Sequence, residues 1–88
     1  MTGLFVFSKA GHDKGTVYII IKEETEYVYL ADGSLKSFEK PKRKNKKHIQ
    51  IIKRYTEENL RQRLLAGERL RDEEIRYAIR QYLNGERI

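Results

Sequence analysis

Thr16-Val17-Tyr18-Ile19-Ile20-Ile21-Lys22 is the run whose reading decides the fold. β-Branched and aromatic side chains fill it, and these suit a pleated, half-buried surface better than a helix. Successive side chains of an extended chain point to opposite faces, so Val17, Ile19 and Ile21 share one face and Tyr18, Ile20 and Lys22 the other. The first set is the expected core face, which leaves Tyr18 outward.

Working outward, Leu4 to Phe7 is a second short apolar run, and Gly11 and Gly15 in the intervening segment supply the conformational freedom that a reversal needs. A hairpin is expected here. Downstream, Glu23 to Glu26 reads as a polar turn and Tyr27 to Ala31 as a third strand with Val28 and Leu30 inward. Asp32-Gly33 is a type I′ signal, after which Ser34 to Phe38 is expected to return as the fourth strand. Ile49 to Lys53 reads as a fifth. Short alternating strands joined by tight turns predict a small antiparallel barrel, which removes sheet edges by closure.

From Tyr55 the period changes. Thr56 is the expected N-cap of a helix carrying Leu60, Leu64 and Leu65 on one stripe and ending at Gly67. A second helix starts near Asp72, carries Ile75, Ala78, Ile79, Tyr82 and Leu83 at helical spacing, and is expected to close at Asn84-Gly85. The expected class is therefore mainly β with a C-terminal α-hairpin: a five-stranded barrel over residues 1–54 and two short helices over residues 55–88.

Between the fourth and fifth expected strands lies Lys40-Pro41-Lys42-Arg43-Lys44-Asn45-Lys46-Lys47-His48, the most basic part of the chain. Residues 36–54 carry nine basic and one acidic side chain, whereas the whole chain of 88 residues has a net charge of +6. The excess is thus confined to one segment, and charge so concentrated attracts phosphate more than it serves solubility. Pro41 disfavours a helix, so the segment is expected to be an extended or turning edge. A solvated charged loop or a nuclear-localisation signal shares this composition.

Two further features bear on binding. The loop Gly11-His12-Asp13-Lys14-Gly15, flanked by Lys9, has backbone amides and cations suited to a phosphate, and it equally suits an ordinary hairpin. Tyr18, Tyr27 and Tyr29, read as an outward set, either stack on unpaired bases or pack as cross-strand pairs. Catalysis finds little support: there are two histidines, no cysteine and no carboxylate pair nearby, so no catalytic residue, metal, cofactor or small-molecule substrate is expected. No segment approaches the ~18 apolar residues that span a bilayer, and a cytoplasmic protein without membrane partners is expected.

Ala10-Gly11-His12-Asp13-Lys14-Gly15, set between Phe5-Val6-Phe7 and Val17-Tyr18-Ile19-Ile20-Ile21, resembles the KOW motif of ribosomal proteins and transcription elongation factors. Lys42-Arg43-Lys44-Asn45-Lys46-Lys47-His48-Ile49 resembles the basic signature that follows the barrel in the archaeal and eukaryotic large-subunit ribosomal family numbered fourteen. The resemblance covers about residues 3 to 52 and implies an SH3-like barrel that binds structured RNA, most naturally ribosomal RNA, without catalysis. Carried over by position, Gly11, Lys14 and Gly15 form the KOW loop, and Lys42, Arg43, Lys44, Asn45 and His48 the RNA-facing segment.

The expected RNA-binding set is Lys9, Gly11, His12, Lys14, Gly15, Lys40, Lys42, Arg43, Lys44, Asn45, Lys46, Lys47 and His48. Within it Lys42, Arg43 and Lys44 are expected to supply affinity, Asn45 and His48 to fix local geometry, and Lys46 and Lys47 to be replaceable. A second reading makes the chain an adaptor in a translation or transcription complex. In that reading the helical stripe Leu60, Leu64, Ile75, Ile79 and Leu83 meets a ribosomal or translation protein.

Overall fold

The structure is a computed structural model that describes residues 1–86. Five strands form one antiparallel sheet: β1 (Phe5–Ser8), β2 (Val17–Glu23), β3 (Tyr27–Ala31), β4 (Lys42–Asn45) and β5 (Ile49–Ile52), in the order β4-β3-β2-β1-β5. A 3-10 turn, Lys46–His48, joins β4 to β5, and two helices follow, α1 (Glu58–Leu65) and α2 (Asp72–Glu86). Of the expected C-terminal unit 55–88, residues 87 and 88 lie outside the described residues.

The first, second, third and fifth expected strands fall where the apolar runs put them. The fourth does not. Residues 34–38 form bends, and the strand that pairs with β3 is Lys42–Asn45 in the middle of the basic run. Asp32-Gly33 is the reason. Instead of a two-residue turn, the backbone amides of Asp32 and Gly33 both reach Lys36 O, while Asp32 Oδ1 accepts from the amides of Ser34 and Lys36 at 2.9 Å. This wider turn leans on α2: Arg76 donates to Gly33 O, and Asp72 Oδ1 accepts from Phe38 N at 2.9 Å. Gly33 has φ of 78°, and a Cβ there would collide with the Asp72 carbonyl oxygen, so glycine is required by both conformation and space.

The sheet is covered on both faces, which corrects the expected one-sided core. Phe5, Ile19, Ala31 and Ile52 pack with Leu60, Leu64, Leu70, Ile75, Ala78, Ile79 and Tyr82 in a cluster between sheet and helices. Val6, Tyr18, Ile20, Val28, Leu30 and Ile49 form a second cluster on the opposite face. Ile20 pairs with Leu30 and Ile19 with Ala31, so Val28 and Leu30 lie on the Tyr18 face and not with Ile19 as expected. Tyr18 is 3% exposed and cannot stack on a base.

A register shift between Ile20 and Lys22 marks an irregularity in β2, and beyond it Lys22 pairs with Tyr29. Local kinks of this sort increase twist and bend a strand. The sheet is thereby able to wrap the second cluster while its other face stays in contact with the helices.

The helices hold to their expected stripe with three changes. Glu57, not Thr56, caps α1, its carboxylate accepting from the amides of Asn59 and Leu60. Leu65 faces away at 55% exposure, and α2 continues through Asn84-Gly85 to Glu86. Glu74 ties the hairpin together by accepting from Arg63 Nη1 at 2.7 Å and from the Arg71 amide at 2.9 Å. At the centre of the interface with the sheet, the rings of Phe5, Tyr55 and Tyr82 meet with centroids 5.1 to 5.9 Å apart. Such pairs add ~0.5–1.5 kcal/mol each beyond burial.

Candidate functional site

Alternation along β4 decides what each basic residue can do. Lys42 pairs with Leu30 and Lys44 with Val28, both members of the second core cluster, whereas Arg43 pairs with Tyr29 on the other face. Lys42 and Lys44 therefore turn inward at the mouth of that cluster. Two part-buried cations need a counter-charge, and Asp13 supplies it.

Asp13 Oδ2 accepts from Lys42 Nζ at 2.8 Å and Tyr18 OH at 2.9 Å, and Oδ1 from Lys44 Nζ at 2.8 Å. Ser8 Oγ lies 2.9 Å from both Asp13 Oδ1 and Ala10 O, and its single proton serves one at a time. Lys44 Nζ also donates to Ala10 O at 2.9 Å. Ser8, Tyr18, Lys42 and Lys44 come from three different strands, and one carboxylate gathers them.

Burial alone would raise the Asp13 carboxyl, but the hydrogen bonds from Lys42 and Lys44, with those of Tyr18 and Ser8, outweigh it. Asp13 is held well below the usual carboxylate range. Burial, together with the hydrogen bond and charge of Asp13, pushes the Tyr18 hydroxyl up. The hub thus stays ionised on Asp13 and protonated on Tyr18 across the physiological range.

With Asp13 anchored, the loop before β2 has a fixed shape. Gly11 and Gly15 have φ of 86° and 89°, Lys14 N reaches Gly11 O, Thr16 N reaches Asp13 O, and Gly15 N reaches Ser8 O. Lys9, His12 and Lys14 are exposed around it. The Lys9 amide donates to His48 O at 2.8 Å, which places the loop beside the 3-10 turn. Lys47 and His48 are exposed on that turn, and Asn45 caps it by accepting from Lys47 N at 3.0 Å.

The remaining basic residues divide. Lys46 is drawn away by Glu23 at 2.6 Å, near the N-terminal amine that Glu23 also holds. The hydrogen bonds from Lys46 and from the N-terminus keep Glu23 at about 2. Arg43 lies 4.2 Å from the ring centroid of Tyr27, and Lys22 5.3 Å from that of Tyr29, so those tyrosines carry cations on the outer face. Lys40 is exposed beside Pro41.

The expected set is thus sorted by geometry. Lys9, Gly11, His12, Lys14, Gly15, Lys47 and His48 come together at one end of the sheet. Lys42 and Lys44, expected to supply affinity, are turned to Asp13. Lys46 is paired with Glu23. Asp13 was not among the expected residues, and its signal was a lone carboxylate between Gly11 and Gly15 in a basic setting, opposite an alternating Lys-Arg-Lys.

Among the described residues no group of three histidine, cysteine or acidic side chains is arranged to hold a metal ion, and no helix is long and apolar enough to cross a membrane. Compared with models of known protein families and with curated proteins, the sequence matches none.

Proposed function

We propose that this protein is a non-enzymatic, cytoplasmic RNA-binding module whose contact face is the end of the sheet formed by the Gly11–Gly15 loop and the Lys46–His48 turn. The single observation that carries the reading is the Lys9 amide to His48 carbonyl bond. It joins two basic segments that are far apart in sequence, so that Lys9, Lys14 and Lys47, with His12 and His48, stand exposed on one surface. The strand order, the 3-10 turn between β4 and β5, and the packing of both sheet faces support an SH3-like barrel of the KOW kind. Structured RNA, ribosomal RNA foremost, is the partner that this reading favours.

The division of labour follows from the pairing. Lys9, Lys14 and Lys47 neutralise phosphates, Arg43 on Tyr27 offers a flat cationic surface, and Lys42 and Lys44 hold the loop in shape through Asp13. The adaptor reading is disfavoured because Leu60, Leu64, Ile75 and Ile79 are already consumed by the core shared with the sheet.

The test is the salt dependence of binding to a labelled stem-loop RNA. Each lost phosphate contact lowers the slope of log affinity against log salt by ~0.7–0.9, so the Lys9, Lys14 and Lys47 triple alanine variant should lose about 2 to 3. Wild-type binding indifferent to salt, or an unchanged slope in the triple variant, would falsify the reading.

A further inference from the structure

The Gly11–Gly15 loop does not end in open solvent on its downstream side. A groove of about 600 Å³ runs from Gly15 and Thr16 along Val17 to α2, where Arg76, Ile79, Arg80, Leu83 and Asn84 line it. Its apolar part is Val17 and Ile79, both packed in the first core cluster, with Leu83 left 40% exposed. Its charge is positive. Arg80 is exposed, and among the described residues its guanidinium makes no hydrogen bond or ion pair. Asp32, the groove's one carboxylate, has Oδ1 occupied by the amides of Ser34 and Lys36, and Arg76 is bound to Gly33 O.

We infer that this groove continues the RNA face onto α2, with Arg80 taking a phosphate of the strand that crosses the Gly11–Gly15 loop and Leu83 supporting one of its bases. The inference rests on the RNA-binding reading. Gly15 belongs to both loop and groove, so a strand leaving the loop meets the groove without crossing an acidic surface. On the other side of the face, the acidic turn Glu23 to Glu26 borders the Lys46–His48 turn, the Lys46 amide donating to Glu26 O at 2.9 Å. An apolar floor beside a free guanidinium matches a nucleotide, which presents a flat apolar face and an anion a few ångströms apart. Arg80 lies on a helix whose inward stripe is anchored in the core, so its position is fixed by folding and does not depend on a mobile loop.

The experiment is anisotropy titration of a fluorescein-labelled stem-loop RNA with the full chain over a range of KCl, for wild type, Arg80→Ala, Arg80→Lys, Lys14→Ala and Arg69→Ala. Arg69 is an exposed arginine paired with Glu39, away from the groove, and serves as the control. Arg80→Ala should lower the salt slope by ~0.7–0.9, which is about five- to eightfold weaker binding at 0.1 M KCl if the proteins are equal at 1 M. Arg80→Lys should retain the slope and Arg69→Ala should leave it unchanged. If Arg80→Ala binds as wild type while Lys14→Ala is weakened, the inference is overturned and the loop reading stands. If wild type shows no salt-dependent binding, both fall. Weakened binding of poly-glutamate with unaltered RNA binding in Arg80→Ala would make the groove an acidic-peptide site and likewise overturn the inference.

Discussion

Replacing Asp13 by alanine removes the one acceptor shared by two cations and two hydroxyl donors at the mouth of the second core cluster. Tyr18 and Ser8 are 3% and 0% exposed, and the Lys44 side chain 10%, so none of the three recovers full hydration when the carboxylate is lost. A buried donor without its acceptor costs ~1–3 kcal/mol, and breaking one side of a buried ion pair ~3–5 kcal/mol. Because the same carboxylate serves all of them the losses overlap, and about 3–5 kcal/mol is expected for Asp13→Ala. Asp13→Asn keeps a carbonyl acceptor but no charge, and about half that loss is expected.

The assay is urea unfolding followed by far-UV circular dichroism, comparing midpoints at equal m-value. Against a total of ~5–15 kcal/mol, the alanine variant should lose a large part of its stability. A double-mutant cycle with Lys44→Ala should show coupling above ~1 kcal/mol. An Asp13→Ala midpoint within ~0.5 kcal/mol of wild type would refute the reasoning, since surface substitutions do no more than that. Where the asparagine variant remains folded, it frees two lysines and removes a negative charge beside the loop, so its RNA affinity should rise and its salt slope steepen.

Other consequences are separately checkable. Residues 1–54 alone should not fold cooperatively: removing the helices exposes Phe5, Ile19 and Ile52, and three such side chains at ~1.5–3 kcal/mol each consume most of a small domain's stability, so their circular dichroism should show no sharp thermal transition. Gly33→Ala should destabilise by more than ~1 kcal/mol, measured by urea midpoint, because it combines a left-handed φ with a clash against the start of α2. The Arg63 side chain and then the Arg71 amide hold Glu74 at about 2 in place of 4.5. The unfolded chain takes up that proton first, so the contribution of Glu74 is full above pH 4.5 and is lost as pH falls towards 2; Glu74→Gln should flatten the urea midpoint across that window.

What the sequence made legible follows from where hydrophobic and conformational signals were unmixed. Val17 to Ile21, Tyr27 to Ala31 and the helical stripe carry periodic apolar residues, and each became the expected element. Three adjacent isoleucines in β2 were the sign that both faces are buried, and a one-sided reading placed Tyr18 and Ile20 outside. The fourth strand was hidden because Lys42, Arg43 and Lys44 look like solvated charge. Their inward members are tolerated only because Asp13, 29 and 31 residues away, neutralises them, and no local pattern records that. Ser34 to Phe38 failed as a strand for a similar reason: Gly33 is held by Arg76 and Phe38 by Asp72, on a helix that comes much later in the chain. The candidate site was legible as a set of basic residues, but its division into loop-holding and exposed members depends on strand register.

The most direct test of RNA binding at this face is a proton–nitrogen correlation spectrum of the labelled 88-residue chain, titrated with a stem-loop RNA. The largest shifts should fall on the amides of Lys9, Gly11, His12, Lys14, Gly15, Lys47 and His48, with Lys42 and Lys44 moving little. Shifts concentrated on Glu23 to Glu26, or on Lys42 and Lys44 with the Gly11–Gly15 loop unperturbed, would contradict it.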